Sequence, residues 1–178
     1  MITVTGSCRT GTSMMMQTLK YLGTPIIGYK FHEEFSCIKS NRKGYYDLPL
    51  SATINGINCD SYRGRAVKLF GYQLSKTDPK YISKVIICLR NKRDAITSTL
   101  KWLDSENVLE IDNTTENANK IFEANYKLIS GYIRSSHLPC TVVFYENMIN
   151  CPEDTIGQLK TFLQLNVSIS KAVANIGV

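Results

Sequence analysis

Two short segments carry residue types that could hold and stabilise negative charge. The first is Gly6-Ser7-Cys8-Arg9-Thr10-Gly11-Thr12-Ser13, in which two glycines bracket a basic residue and hydroxyl side chains follow. A glycine turn leading from a strand into a helix lines up backbone N–H groups and adds the positive end of the helix, which together cradle an anion. The spacing Gly-x4-Gly-x-Ser/Thr is that of a phosphate-binding loop. Thr12, however, stands where a Walker-type lysine would, and the positive charge sits earlier, on Arg9. The second segment runs from Lys84 to Ser98, an apolar stretch closing on Arg90 with Ser98 eight residues further on. An arginine at the end of a parallel strand lies at the sheet edge where α/β proteins bind ligands. Its planar fork suits a phosphate.

The elements that must position these residues are legible as apolar runs. Ile2 to Thr5, Val85 to Leu89 and Thr141 to Tyr145 read as strands, with Ala66 to Phe70 as a fourth. The first three are each followed by a helical pattern, which predicts βα units around a parallel sheet and so a three-layer α/β domain. Helices are expected over Ser13 to Leu22, Arg93 to Asp104, and Pro152 to Leu163, since proline suits a first helical turn. A long helix is expected to start at Asn113, with Glu116 completing a capping-box pattern. On the Arg93 helix, Asp94, Ser98 and Lys101 fall off the apolar stripe, so Ser98 can face the crevice that Arg90 faces. Asn125 interrupts the buried face of the long helix and is expected to find partners there. The chain reads as one domain over residues 1–178, with 24–65 as a substrate-facing insertion, being polar and aromatic by turns.

Composition narrows the partner. Of 178 residues, 43% are hydrophobic and 20% charged, an ordinary globular balance. Twenty-one basic against fifteen acidic residues give a net charge of +6, which favours an anionic ligand. The densest basic cluster, Arg90-Asn91-Lys92-Arg93, is too short for a nucleic-acid arm, and no RNA-binding motif is present, so no nucleic-acid partner is expected. No apolar run approaches the ~20 residues of a membrane span, and the start has no leader pattern, so a cytoplasmic protein without a transmembrane segment is expected. Cys8, Cys37, Cys59, Cys88, Cys140 and Cys151 form no CxxC pair. They are expected to be reduced structural thiols, and no metal site is expected.

With these segments in order, the chain resembles the PAPS-dependent sulfotransferases, small bacterial or viral members in particular, which move a sulfuryl group from 3′-phosphoadenosine 5′-phosphosulfate (PAPS). Their first loop carries a basic residue, then Ser/Thr, Gly and two hydroxyl residues, here Arg9, Thr10, Gly11, Thr12 and Ser13. The resemblance implies that Ser7, Cys8 and these five grip the 5′-phosphosulfate, with Arg9 stabilising the bridging oxygen. It also implies that Arg90 and Ser98, at the separation of the family's second loop, clamp the 3′-phosphate. Val142 to Met148, then Pro152, Glu153 and Phe162-Leu163, resembles the family's later strand, turn and helix. The implied fold has a P-loop NTPase-like topology. The implied reaction is in-line transfer to a hydroxyl or amine of a small-molecule, lipid or carbohydrate acceptor, leaving 3′-phosphoadenosine 5′-phosphate (PAP).

The catalytic base departs from the commoner pattern. Where many members carry Lys-Thr-His, this chain reads Lys68-Leu69-Phe70, and Phe70 cannot take a proton. Lys68 remains a candidate for stabilising the transferring group. Other members carry a glutamate beside an aromatic after the first helix, which Phe31-His32-Glu33-Glu34-Phe35 offers; Asn41 to Asp47 resembles a further segment of such members. Glu34 is the first candidate base, with Glu33, His32 and Asp47 behind it. Burial beside Phe35 would raise its pKa toward working pH. Two other readings stay open: a kinase using Arg90, Lys92 and Arg93 on phosphates with Glu146 near Mg²⁺, and a non-catalytic module binding an adenosine phosphate.

Overall fold

The computed structural model describes residues 1–31, 41, 43–58, 60–105 and 114–176. Among these residues five strands form one all-parallel sheet in the order β2-β3-β1-β4-β5. They are β1 (Ile2–Gly6), β2 (Ile26–Ile27), β3 (Ala66–Lys68), β4 (Lys84–Leu89) and β5 (Cys140–Phe144). The helices are α1 (Thr12–Tyr21), α2 (Leu50–Thr53), α3 (Gly71–Ser75), α4 (Lys92–Ser105), α5 (Thr115–Ser136), α6 (Tyr145–Asn150), α7 (Pro152–Leu163) and α8 (Ser170–Ala174).

Side-chain alternation along the strands feeds two cores, as expected of a sheet covered on both faces. Val4, Ile86 and Val143 pack with Met15, Met16 and Leu19 of α1, Ile156 and Leu159 of α7, and Ala172 of α8. Val67 and Val85 face the other way, onto Leu74 of α3 and Ile129 and Tyr132 of α5. The three-layer α/β arrangement expected from the sequence is therefore present. Register ties the carboxyl ends together: Gly6 lies opposite Cys88, and Leu89 opposite Phe144. The chain leaves β1 toward one sheet edge and leaves β4 toward the other. The crevice between their carboxyl ends is the switch point at which open α/β sheets bind ligands.

Several boundaries differ from the sequence reading. The run Ala66 to Phe70 is strand only to Lys68; Phe70 becomes the N-cap of α3, its N–H donating to Gln73 Oε1 at 2.8 Å. Tyr145 opens α6 instead of ending β5. The long helix is capped by Thr114, whose hydroxyl accepts from the Asn117 N–H at 3.2 Å; Asn113 lies outside the described residues. Within 24–65, Ile26–Ile27 adds the edge strand β2, pairing with Ala66 and Val67. Among the described cysteines, Cys8, Cys88, Cys140 and Cys151 are free thiols.

Candidate functional site

Both segments singled out in the sequence meet at the β1/β4 crevice. In the first loop, Arg9 and Gly11 have φ of 61° and 91°, both left-handed. Such turns converge successive N–H groups into an anion-binding concavity. For Gly11 this conformation is free of strain, but for Arg9 it costs about 1 kcal/mol or more and is the kind of outlier that clusters at functional sites. The loop is braced from within, Thr10 Oγ1 donating to Ser7 O at 2.8 Å. Gly6 admits no side chain: a Cβ there would stand 2.6 Å from Thr10 Oγ1 and 2.7 Å from Cys88 O.

The two helices that start at the crevice differ at their N-termini. Gly11, the N-cap of α1, has no side chain with which to satisfy the first helical N–H groups. Asn91, before α4, has one: its Oδ1 accepts from the Arg93 and Asp94 N–H groups at 3.0 and 3.3 Å. Among the described residues no side chain caps α1, the arrangement in which a helix N-terminus can take an outside anion. At the second, the positive charge comes from the Arg90 side chain.

Arg90 is tied into the first loop. Its Nη1 donates to Arg9 O at 3.1 Å, and Arg9 Nε in turn donates to Ser98 Oγ at 3.1 Å. The guanidinium lies over the Tyr145 ring, 4.2 Å from its centroid, a cation–π placement that fixes its plane. Arg90 Nε is buried and has no hydrogen-bond partner among the described residues. A buried donor left unpaired costs about 1–3 kcal/mol, so one that persists calls for a ligand or a role. Beside Arg90 opens a cleft of about 410 Å³, walled by Phe122 and Tyr126 of α5 and by Phe144 and Glu146. Glu146 Oε1 accepts from the Asn91 N–H at 2.9 Å, and Lys92 pairs with Glu123 at 2.5 Å, so both of these charges already have partners.

Lys68 occupies the other flank of the loop. Its side chain is 3% exposed, and its Nζ contacts Asp47 Oδ1 at 2.6 Å, Tyr45 O at 2.8 Å and Ser13 Oγ at 3.2 Å. Burial pushes its pKa down, while the neighbouring Asp47 carboxylate pulls it back up. Burial pushes the Cys8 thiol up, against the opposing charge of Arg9. Cys8 therefore serves as a loop residue and hydrophobe, lining a small cavity of about 30 Å³ with Ile96 and Thr99.

The expected site residues Ser7, Cys8, Arg9, Thr10, Gly11, Thr12, Ser13, Arg90, Ser98 and Lys68 thus gather at one end of the sheet. Glu34, Glu33 and His32 lie outside the described residues. Asp47 is placed directly on Lys68. The sequence reading assigned no site role to Tyr145, Phe122 or Tyr126. Tyr145 could have been found as the aromatic directly after a parallel strand, whereas the other two look like ordinary core positions of a helix. No protein-family model matches the chain, and comparison with curated proteins finds no match.

Proposed function

We propose that this chain is a PAPS-dependent sulfotransferase of P-loop NTPase-like topology, transferring a sulfuryl group in line to a hydroxyl or amine acceptor. The observation that carries this reading is that two clusters of cationic and hydroxyl groups meet at the β1/β4 crevice, and we read each as a pole for one anionic group. One is the first loop with Lys68 at its flank; the other is Arg90 with Ser98, linked through Arg9. A donor with a 5′-phosphosulfate and a separate 3′-phosphate presents negative charge in two places, whereas a triphosphate presents it in one continuous chain.

In this reading the N–H groups of residues 8–13 and the α1 N-terminus hold the 5′ end. Arg9 and Lys68 supply positive charge where negative charge develops on the transferring group and the bridging oxygen. Arg90 and Ser98 hold the 3′-phosphate, Arg90 Nε, unpaired among the described residues, providing a donor for it. A carboxylate, Glu34 by the resemblance, takes the acceptor proton as the acceptor oxygen or nitrogen attacks sulfur. The bond from sulfur to the bridging oxygen breaks, and PAP leaves.

The test is calorimetric titration with PAP, ATP and AMP, with and without Mg²⁺, repeated on Arg90→Ala. Tight, metal-independent binding of PAP that needs the 3′-phosphate and collapses in the variant supports the reading and opens an acceptor screen. Preference for Mg-ATP replaces it with the kinase, and binding without turnover against any acceptor replaces it with the non-catalytic module.

A further inference from the structure

Lys68 is a buried ammonium at the end of β3, and three acceptors surround it. An ammonium has three N–H donors and no acceptor, and the contacts to Asp47 Oδ1, Tyr45 O and Ser13 Oγ use all three. Two of these acceptors come from one turn. Tyr46, between them, is 6% exposed and held at φ 57°, a left-handed conformation that is unusual for a tyrosine. The turn is pinned to the rim of the sheet, the Tyr29 N–H donating to Asp47 O at 2.9 Å. Strain at Tyr46 and this anchor together aim Tyr45 O and the Asp47 carboxylate at one nitrogen. The third acceptor, Ser13, is the second residue of α1, so Lys68 also touches the helix end that forms the cradle.

We propose that Asp47 is a positioning residue: by facing Lys68 it keeps that buried nitrogen protonated and directed at the first loop, making Lys68 a fixed cation for the bound anion. This inference rests on the proposed function for the identity of the anion. The charged and titratable groups around Lys68 are few. From the 45–47 turn come Asp47 and the Tyr45 ring, 6.0 Å away; from the first loop Cys8; and from β4 Cys88. Burial pushes both thiols up, Cys88 to about 12, so neither carries charge near neutral pH. The Phe70 ring, 5.8 Å from Nζ, carries no charge. Asp47 is thus the one carboxylate among the described groups that opposes the desolvation of Lys68. Its side chain is 37% exposed, which keeps the carboxylate solvated while the ammonium is not. The sign follows: without Asp47, desolvation acts unopposed, Lys68 releases its proton at lower pH, and anion binding weakens as pH rises through that point.

Lysine-Cε-labelled protein, titrated by NMR with Lys68→Met to assign the signal, reads the charge on Lys68 without any ligand. In Asp47→Asn the Lys68 titration is expected to move to lower pH, and in Asp47→Glu to return toward the wild type. Calorimetry with PAP is then expected to show Asp47→Asn losing affinity as pH rises through the Lys68 titration that NMR reads in that variant. The wild type should lose much less over that range, as should Asp47→Asn combined with Lys68→Arg, because a guanidinium does not titrate there. If Asp47→Asn does not fold, Asp47→Ser carries the same expectation. An unmoved Lys68 titration overturns the proposal whether or not PAP binds. A lowered titration with unchanged PAP affinity across pH overturns the role of Lys68 in the anion site. A wild-type protein that binds no PAP overturns the proposed function instead, and leaves the NMR titration to decide the Asp47–Lys68 relation.

Discussion

Arg9 and Ser98 stand 89 positions apart and are joined by a hydrogen bond of 3.1 Å from Nε to Oγ. The link matters because Arg9 O also accepts from Arg90 Nη1. One arginine thus uses its backbone to receive the β4 end and its side chain to reach α4. These two bonds join the first loop to the β4 end and to α4, so a change at one bears on the other.

Arg90 is expected to contribute most to binding at the second pole. Charge-assisted hydrogen bonds are worth about 1.5–3 kcal/mol, so Arg90→Ala should weaken PAP binding by roughly 10- to 150-fold. Arg90→Lys keeps the charge but loses the fork and the stacking on Tyr145, and should fall between the two. Ser98→Ala removes one hydroxyl and the anchor of Arg9, with a smaller loss of a few-fold. Calorimetry at fixed salt ranks the four proteins, and equal affinity of Arg90→Ala and wild type would remove Arg90 from the site.

Gly11 joins a backbone requirement to a steric one. Its φ is 91°, and a Cβ there would meet Tyr145 Cδ2 at 3.0 Å. Gly11→Ala is expected to destabilise the fold by about 1–3 kcal/mol, since an alanine is strained at that dihedral whatever the space. Adding Tyr145→Ala relieves the contact but not the dihedral. The double variant should therefore stay less stable than Tyr145→Ala alone. Urea unfolding with an unchanged slope checks this, and a Gly11→Ala protein as stable as the wild type would contradict it.

The loops that carry charge were legible because their chemistry is local. A glycine turn between a strand and a helix, or an arginine closing a β-branched run, is read within a dozen residues. What the sequence hid is set by partners far along the chain. The run Ala66 to Phe70 reads as strand throughout, yet Gln73 captures the Phe70 N–H and turns the chain into α3. Ile26–Ile27 is too short to show a strand period, and pairing with β3 makes it one. The Asp47–Lys68 contact joins residues with no shared motif. It depends on Tyr46 adopting a conformation that local propensity disfavours.

Asn125 was expected to find partners on the buried face of its helix, and its partner is the first residue of α3. The Gly71 N–H donates to Asn125 Oδ1 at 2.7 Å, capping a helix that lacks a polar N-cap side chain. The approach is close enough that a Cβ on Gly71 would lie 2.5 Å from Asn125 O and 2.6 Å from Oδ1. Asn125→Leu fills the space but strands the Gly71 N–H, and should cost about 1–3 kcal/mol. Asn125→Asp keeps an acceptor in place and should cost less, the carboxylate also suiting a helix N-terminus. Because α3 begins three residues after Lys68, loosening this junction should also weaken PAP binding in Asn125→Leu beyond any loss in Asn125→Asp. Urea unfolding and calorimetry on the same two variants separate the outcomes. Equal stability would mean that water satisfies the Gly71 N–H, and equal binding would mean that the end of β3 holds Lys68 in place without help from α3.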